Sequence, residues 1–343
     1  MANKKIIKKN IAKLLNEWNQ EFELFVPSKD EGATKFAKWD GKDTSFPDWY
    51  RNTVDSPKAN FLPSMEEMFH FQKDKEGYHI ELPSSDGQKQ LIFGIRPCDA
   101  KSLAILDMTF EDAYQDPYYL AKRKNTVLVG LGCTNPYDSC FCTSLDSSPT
   151  DSTNVDLMLT DIGDEFLVEG VTDKGRELMD MSSELEEATK ADETRAKASK
   201  EAAYGKVTKR VDTKNIKEKL LASFENQDYW ENISAKCISC GICTFLCPTC
   251  YCFDISDEML RGEGARFRCL DSCSFPTYTK MPMENPRTEQ WRRVRNRVCH
   301  KYEFYPMNFD VIACTGCGRC IRLCPVNWDI TQTLERVPAQ VQS

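Results

Sequence analysis

The chain is poor in histidine, with three in 343 residues: His70, His79 and His300. They show no ligand-like spacing, and no nucleophile–base pair is visible. No G-x-G-x-x-G fingerprint for a dinucleotide is present. Gly170 to Gly175-Arg176 has the glycine spacing of a phosphate loop but lacks its Lys-Ser/Thr. No apolar run reaches the length of a membrane span. The lysine-rich start, Met1 to Leu15, has neither an apolar signal core nor a cleavage site. Its Ile7, Ile11, Leu14 and Trp18 recur at helical spacing, which predicts a surface helix. A net charge of −8 argues against nucleic acid as a main partner. These absences describe a cytoplasmic protein with no flavin or nicotinamide site of its own.

What is abundant is cysteine, seventeen in all. The count is odd and eight fall into two metal-like runs, so no disulfide framework is expected. A reducing, oxygen-poor compartment follows.

The first run is Cys237-x-x-Cys240-x-x-Cys243-x-x-x-Cys247-Pro248, and the second is Cys314-x-x-Cys317-x-x-Cys320-x-x-x-Cys324-Pro325. This is the spacing of a protein holding two [4Fe–4S] cubanes, in which the fourth cysteine of each run ligates the other cluster. The expected ligand sets are therefore Cys237, Cys240, Cys243 and Cys324 for one, and Cys314, Cys317, Cys320 and Cys247 for the other. Gly241, Gly316 and Gly318 let the backbone turn close to the sulfides. Pro248 and Pro325 fix the exit of each fourth ligand. Zinc also binds C-x-x-C pairs, but it gives no reason for a third and fourth cysteine with a following proline, twice.

Cys98 follows the strand-like Leu91–Ile95, and Cys133 follows Val127–Leu131. Open α/β sheets place their sites at such strand ends. Cys140 and Cys142 share one loop nearby. The four could ligate a third cubane, with Arg96 offsetting its charge; the plain alternative is small buried hydrophobes. Cys250, Cys252, Cys269, Cys273 and Cys299 read as packing around the cubanes, a dry thiol-rich shell, with another metal site as the alternative. Arg292, Arg293, Arg295 and Arg297 share a helix whose Trp291, Val294, Val298 and Tyr302 face inward. They read as a solvated basic face, with docking of an acidic partner as the alternative.

The fold expected is α+β. Residues 1–150 form an α/β domain with the third iron–sulfur site. Residues 151–225 hold a hairpin and a charged helical arm. Residues 226–343 form a mainly helical two-cluster, ferredoxin-like domain. A hairpin is expected from His79–Leu82 through Asp86-Gly87 to Leu91–Ile95. Another runs from Leu157–Thr160 through Gly163-Asp164 to Glu165–Val168. Arg176 to Ala203 reads as one or two solvated helices, with a partner-binding coil as the alternative, and Ile216 opens a helix leading to the first run. The long segment between the runs is expected to fold over the clusters.

Phe93-Gly-Ile-Arg-Pro-Cys-Asp99, Cys140-Phe-Cys-Thr-Ser144, Leu157 to Asp164, Cys247-Pro-Thr-Cys-Tyr-Cys-Phe-Asp254 and Asp271-Ser-Cys273 carry a resemblance. From about Pro57 to Leu334 the chain resembles the β subunit of cytoplasmic sulfhydrogenases. It equally resembles the A subunit of anaerobic sulfite reductase and the iron–sulfur subunit of flavin oxidoreductases that work with heterodisulfide reductase. The resemblance implies an electron relay in a soluble complex. One partner would be a flavoprotein, a diaphorase-type subunit that oxidises NAD(P)H. The other would be a hydrogenase, sulfite reductase or heterodisulfide reductase subunit. A thiol/disulfide reductase with a cluster flanked by Cys250, Cys252, Cys269 and Cys273, or a redox-sensing binding protein, are the other readings of the residues.

Overall fold

The computed structural model describes residues 3–41, 49–83 and 88–338. An eight-stranded sheet organises the N-terminal half. Its strands are β1 (Lys4–Ile7), β2 (Glu23–Asp30), β3 (Ala33–Lys38), β6 (Gln90–Ile95), β7 (Thr126–Leu131), β8 (Leu157–Asp161), β9 (Glu165–Gly170) and β10 (Glu186–Glu187), in the order β10-β1-β9-β8-β7-β6-β2-β3. The central strands β2, β6, β7 and β8 run parallel. β6 and β7 are covered on both faces, which explains their unbroken apolar sequence. Side chains alternate between faces along a strand. Leu91, Phe93, Val127 and Val129 join Ile11, Leu14, Trp18 and Leu178 on one side. Ile92 and Leu128 join Leu103, Leu106 and Tyr119 on the other.

The N-terminal helix is narrower than expected and is not a surface helix. Ile7 ends a strand, and Ile11–Trp18 forms the helix. Ile11, Leu14, Leu15 and Trp18 are completely buried, so the apolar stripe is core. The hairpin expected over residues 79–95 does not form. β5 (Tyr78–Glu81) pairs antiparallel with β4 (Met65–Lys73), while β6 lies in the large sheet. The expected turn at Asp86-Gly87 lies outside the described residues. Alternation read two strands correctly, but it carries no information about their partners.

The hairpin after Leu157 is present as β8 and β9, and it continues the large sheet. Residues 176–203 form two helices, Asp173–Asp180 and Lys190–Lys206. The second starts at a capping box of Thr189 and Asp192 and buries Ala196 and Ala203.

The C-terminal part is built on helices Ile216–Ala222, Gln227–Ser234, Gln290–Cys299 and Ile330–Glu335. They close around Trp230, Trp291, Val298, Tyr302 and Trp328. The segment between the cysteine runs is not only helical. β11 (Phe253–Leu260) and β12 (Glu263–Leu270) form a hairpin, and β12 pairs with β4. A second sheet, β11-β12-β4-β5, thus joins the two halves of the chain. Among the described residues no helix is long and apolar enough to cross a membrane.

Candidate metal centres

The two cysteine runs adopt the same local structure. Gly241 and Gly318 take left-handed φ values of 77° and 70° and open the short helices Ile242–Phe245 and Arg319–Arg322. A side chain there would be strained, so both turns are glycine's. The two short helices pack against each other. Backbone N–H groups donate to a thiol in each run: Ser239 to Cys237 Sγ at 3.4 Å and Trp328 to Cys324 Sγ at 3.2 Å.

The runs interleave. Burial pushes the Cys320 thiol up to about 12; Arg297 opposes this, and Cys247, Cys317 and Cys314 add to it. Cys247 therefore stands among the thiols of the second run. Cys324 packs into one apolar cluster with Cys237 of the first run and with Cys314 and Cys320 of its own. Cations surround this centre. Lys58 Nζ donates to the carbonyls of Cys247 and Cys250 at 3.0 and 2.8 Å. Lys301 Nζ donates to Thr249 Oγ1 and Ala313 O at 2.8 and 3.1 Å. Arg297 Nη2 donates to Cys243 O at 3.0 Å.

Those cations correct the solvated-face reading for three of the four arginines; Arg292 is half-exposed and pairs with Glu289 at 2.8 Å. Arg293 and Arg297 are 7% and 3% exposed. Arg293 spends its donors on the carbonyls of Ser274, Arg287 and Thr288, and Arg295 donates to Phe224 O. Spacing alone does not separate these buried arginines from solvated ones.

The residues fit iron–sulfur clusters. Beside the second run, the Thr315 hydroxyl is buried with no hydrogen-bond partner, and the buried Tyr302 hydroxyl has the Cys314 thiol as its neighbour. Buried donors of this kind need an acceptor, and cluster sulfides would supply one. Among the described residues, no three His, Cys, Asp or Glu side chains converge tightly enough for a single metal ion. Zinc would draw its sulfurs to about 2.3 Å from one point. A cubane spreads its thiolates over four corners and suits the wider arrangement.

Cys98, Cys133, Cys140 and Cys142 line one cavity with Arg96 and Cys317. Cys98 opens the helix Pro97–Phe110 after β6, and Cys133 follows the adjacent β7. Burial pushes Cys140 and Cys142 up to about 12, and Cys133 adds to both. Burial also raises Cys98, with Asp99, Cys317 and Cys142 contributing to its environment. Arg96 is 4% exposed and donates to the carbonyls of Tyr50, Arg51, Leu131 and Gly132. Four of its donors are committed to the backbone, and its charge lies at the cavity wall.

The cysteine loop sits directly on the second run. Phe141 N donates to Gly316 O at 2.9 Å, and Cys140 Sγ approaches Cys317 O at 3.6 Å. A Cβ on Gly316 would lie 2.5 Å from Cys142 N, and its φ is 65°. Gly316→Ala is expected to lose more than the roughly 1–2 kcal/mol of left-handed strain alone. Gly205→Ala, on a helix with open space around it, should gain about 0.5–1 kcal/mol. Anaerobic denaturant midpoints of the two variants check this; equal shifts would contradict the close approach.

Sequence reasoning missed Arg319. It lies between Cys317 and Cys320 and is completely buried. It pairs with Asp99 of the Arg-Pro-Cys-Asp motif through bonds of 2.6 and 2.8 Å. The signal was available only as an arginine placed between two ligand-like cysteines. The remaining cysteines divide. Cys299 is buried in the helical core, and Cys269 lies on β12. Cys250, Cys252 and Cys273 do not simply pack; they line a separate cavity of about 480 Å³ with Arg297, His300 and Lys301. Burial and Lys301 hold His300 down at about 4. His70 and His79 lie on β4 and β5.

Residues 236–328 match a family model described as a 4Fe-4S dicluster domain. The sulfhydrogenase 2 subunit beta of Pyrococcus furiosus is 31% identical over 293 residues, which cover 84% of each chain. No solved structure matches.

Proposed function

The chain belongs to the sulfhydrogenase β-subunit family, and from that premise we propose that it relays electrons between a flavoprotein that oxidises NAD(P)H and a terminal hydrogenase or reductase subunit. It is an iron–sulfur electron-transfer subunit with two [4Fe–4S] clusters in its dicluster domain. Bound cubanes take up and release single electrons. The residues supply position, dryness and charge.

In this reading Cys237, Cys240, Cys243 and Cys324 hold one cluster, and Cys314, Cys317, Cys320 and Cys247 hold the other. Cys98, Cys133, Cys140 and Cys142 hold a third. The observation that carries the relay is contiguity. Cys317 of the second run also lines the N-terminal cavity, and Cys247 of the first run stands among the second run's thiols. The three thiol groups therefore form one continuous series. Lys58, Arg297 and Lys301 offset their negative charge and favour the reduced state.

The crossed ligand pattern on which the series rests has a direct test. Cys324→Ser should alter the electron paramagnetic resonance signal of the cluster held by Cys237, Cys240 and Cys243. Its neighbour's signal should persist. Damage to the Cys314 cluster instead would contradict the crossing and break the proposed order.

A further inference from the structure

We propose that Cys250, Cys252, Cys273 and His300 hold a further [4Fe–4S] cluster, separate from the two of the dicluster domain and from the N-terminal cavity. Three thiols and one imidazole line a single cavity of about 480 Å³. Cys252 faces Cys273, and Cys250 acts on Cys273 as well, so the three thiols form one group. Such a set can supply four ligands, and none of them is needed by the eight cysteines of the runs.

A second observation points to a ligand in this cavity. Arg297 lines it and is 3% exposed, yet its Nε and Nη1 have no hydrogen-bond partner. Leaving such donors unsatisfied is costly, and more so for a charged group. Lys301, 2% exposed, lines the same cavity, although its Nζ donates to Thr249 Oγ1 and Ala313 O. The free donors of Arg297 beside three thiols call for an anionic group with several acceptors. Iron–sulfur clusters with thiolate ligands have that charge, and their sulfides accept hydrogen bonds. A single metal ion does not suit, because no three ligand side chains among the described residues converge tightly enough.

The backbone at His300 is also unusual. His300 to Phe304 forms a π-helix continuing the helix Gln290–Cys299. Short π segments inside helices often mark functional sites. Here the segment begins at the imidazole that faces the cavity.

The site adjoins the relay, since Cys250 lies three residues from Cys247 and Lys58 Nζ bridges the carbonyls of both at 2.8 and 3.0 Å. A histidine in place of a thiolate raises a cluster's potential, as it does in Rieske centres. This cluster would therefore be reduced first among those on the chain.

The test uses the full chain reconstituted anaerobically with iron and sulfide. Iron content should approach about sixteen per chain, four for each of four cubanes. Cys252→Ser with Cys273→Ser should lose about four irons and leave the signals of the dicluster pair in place. Cys98→Ala with Cys142→Ala should still lose its own share, so the failure of one site is distinguishable from the failure of the other. Unchanged iron in the Cys252/Cys273 variant would overturn the proposal. The unmutated chain gives an independent reading. Pulsed resonance should show one reduced cluster with a strongly coupled imidazole nitrogen, and that coupling should vanish in His300→Ala. Absence of any such coupling in the unmutated chain would overturn the proposal as well.

Discussion

Asp99→Ala will destabilise the chain by about 3–5 kcal/mol, because it leaves a buried charge without its partner. Asp99 and Arg319 have completely buried side chains. Arg319 reaches both carboxylate oxygens, at 2.6 and 2.8 Å. Its other donors go to Thr53 O, Asn52 Oδ1 and Thr53 Oγ1 at 2.9, 2.6 and 3.1 Å. All three guanidinium nitrogens are therefore engaged, and the carboxylate is the one anionic partner that the mutation removes. The pair ties the N-terminal Arg-Pro-Cys-Asp motif to the second cysteine run across more than two hundred residues of chain. Asp99→Leu combined with Arg319→Met should lose much less, since it removes both charges and keeps volume. Anaerobic denaturant titration of the loaded chain is the measurement. A midpoint for Asp99→Ala close to that of the unmutated chain would remove the pair from the account.

Cys98→Ala with Cys142→Ala should remove about four irons, one cubane's share, while both clusters of the dicluster domain remain. The expectation rests on four thiols lining one cavity, three of them held high by burial. Uncharged thiols buried without metal would be the plain alternative. Iron content that stays constant in this variant decides for that alternative.

Local spacing made the two cysteine runs legible, because three closely spaced cysteines and a Cys-Pro recur within each short stretch of chain. The strands β6, β7 and β8 were legible for a similar reason: continuous apolar runs need no knowledge of distant partners. What depended on distant contacts was not legible. The pairing of β4 with β12 joins residues far apart in sequence, with Met65 opposite Cys269 and Gln72 opposite Glu263. Nothing in either segment's periodicity names the other. β5 and β6 were therefore joined as a hairpin although they belong to different sheets. Buried cations were the other gap. Arg293, Arg297, Lys301 and Arg319 have the same side chains as solvated residues, and only the thiols and carbonyls around them set their burial. The cavity of Cys250, Cys252 and Cys273 combines both problems. Its cysteines lie on either side of the β11–β12 hairpin and meet only after that hairpin closes.

The central claim is that electrons pass through this chain without substrate chemistry on it. Anaerobically purified chain, loaded with its clusters, should be reduced by dithionite and then reduce a viologen dye. NADH added to the same sample should leave the clusters oxidised until a flavoprotein partner is supplied. The most direct measurement is the cluster absorbance after adding NADH to the chain alone. The account predicts no bleaching; bleaching by NADH, with or without bound flavin in the isolated chain, would contradict it and place the nicotinamide reaction on this subunit.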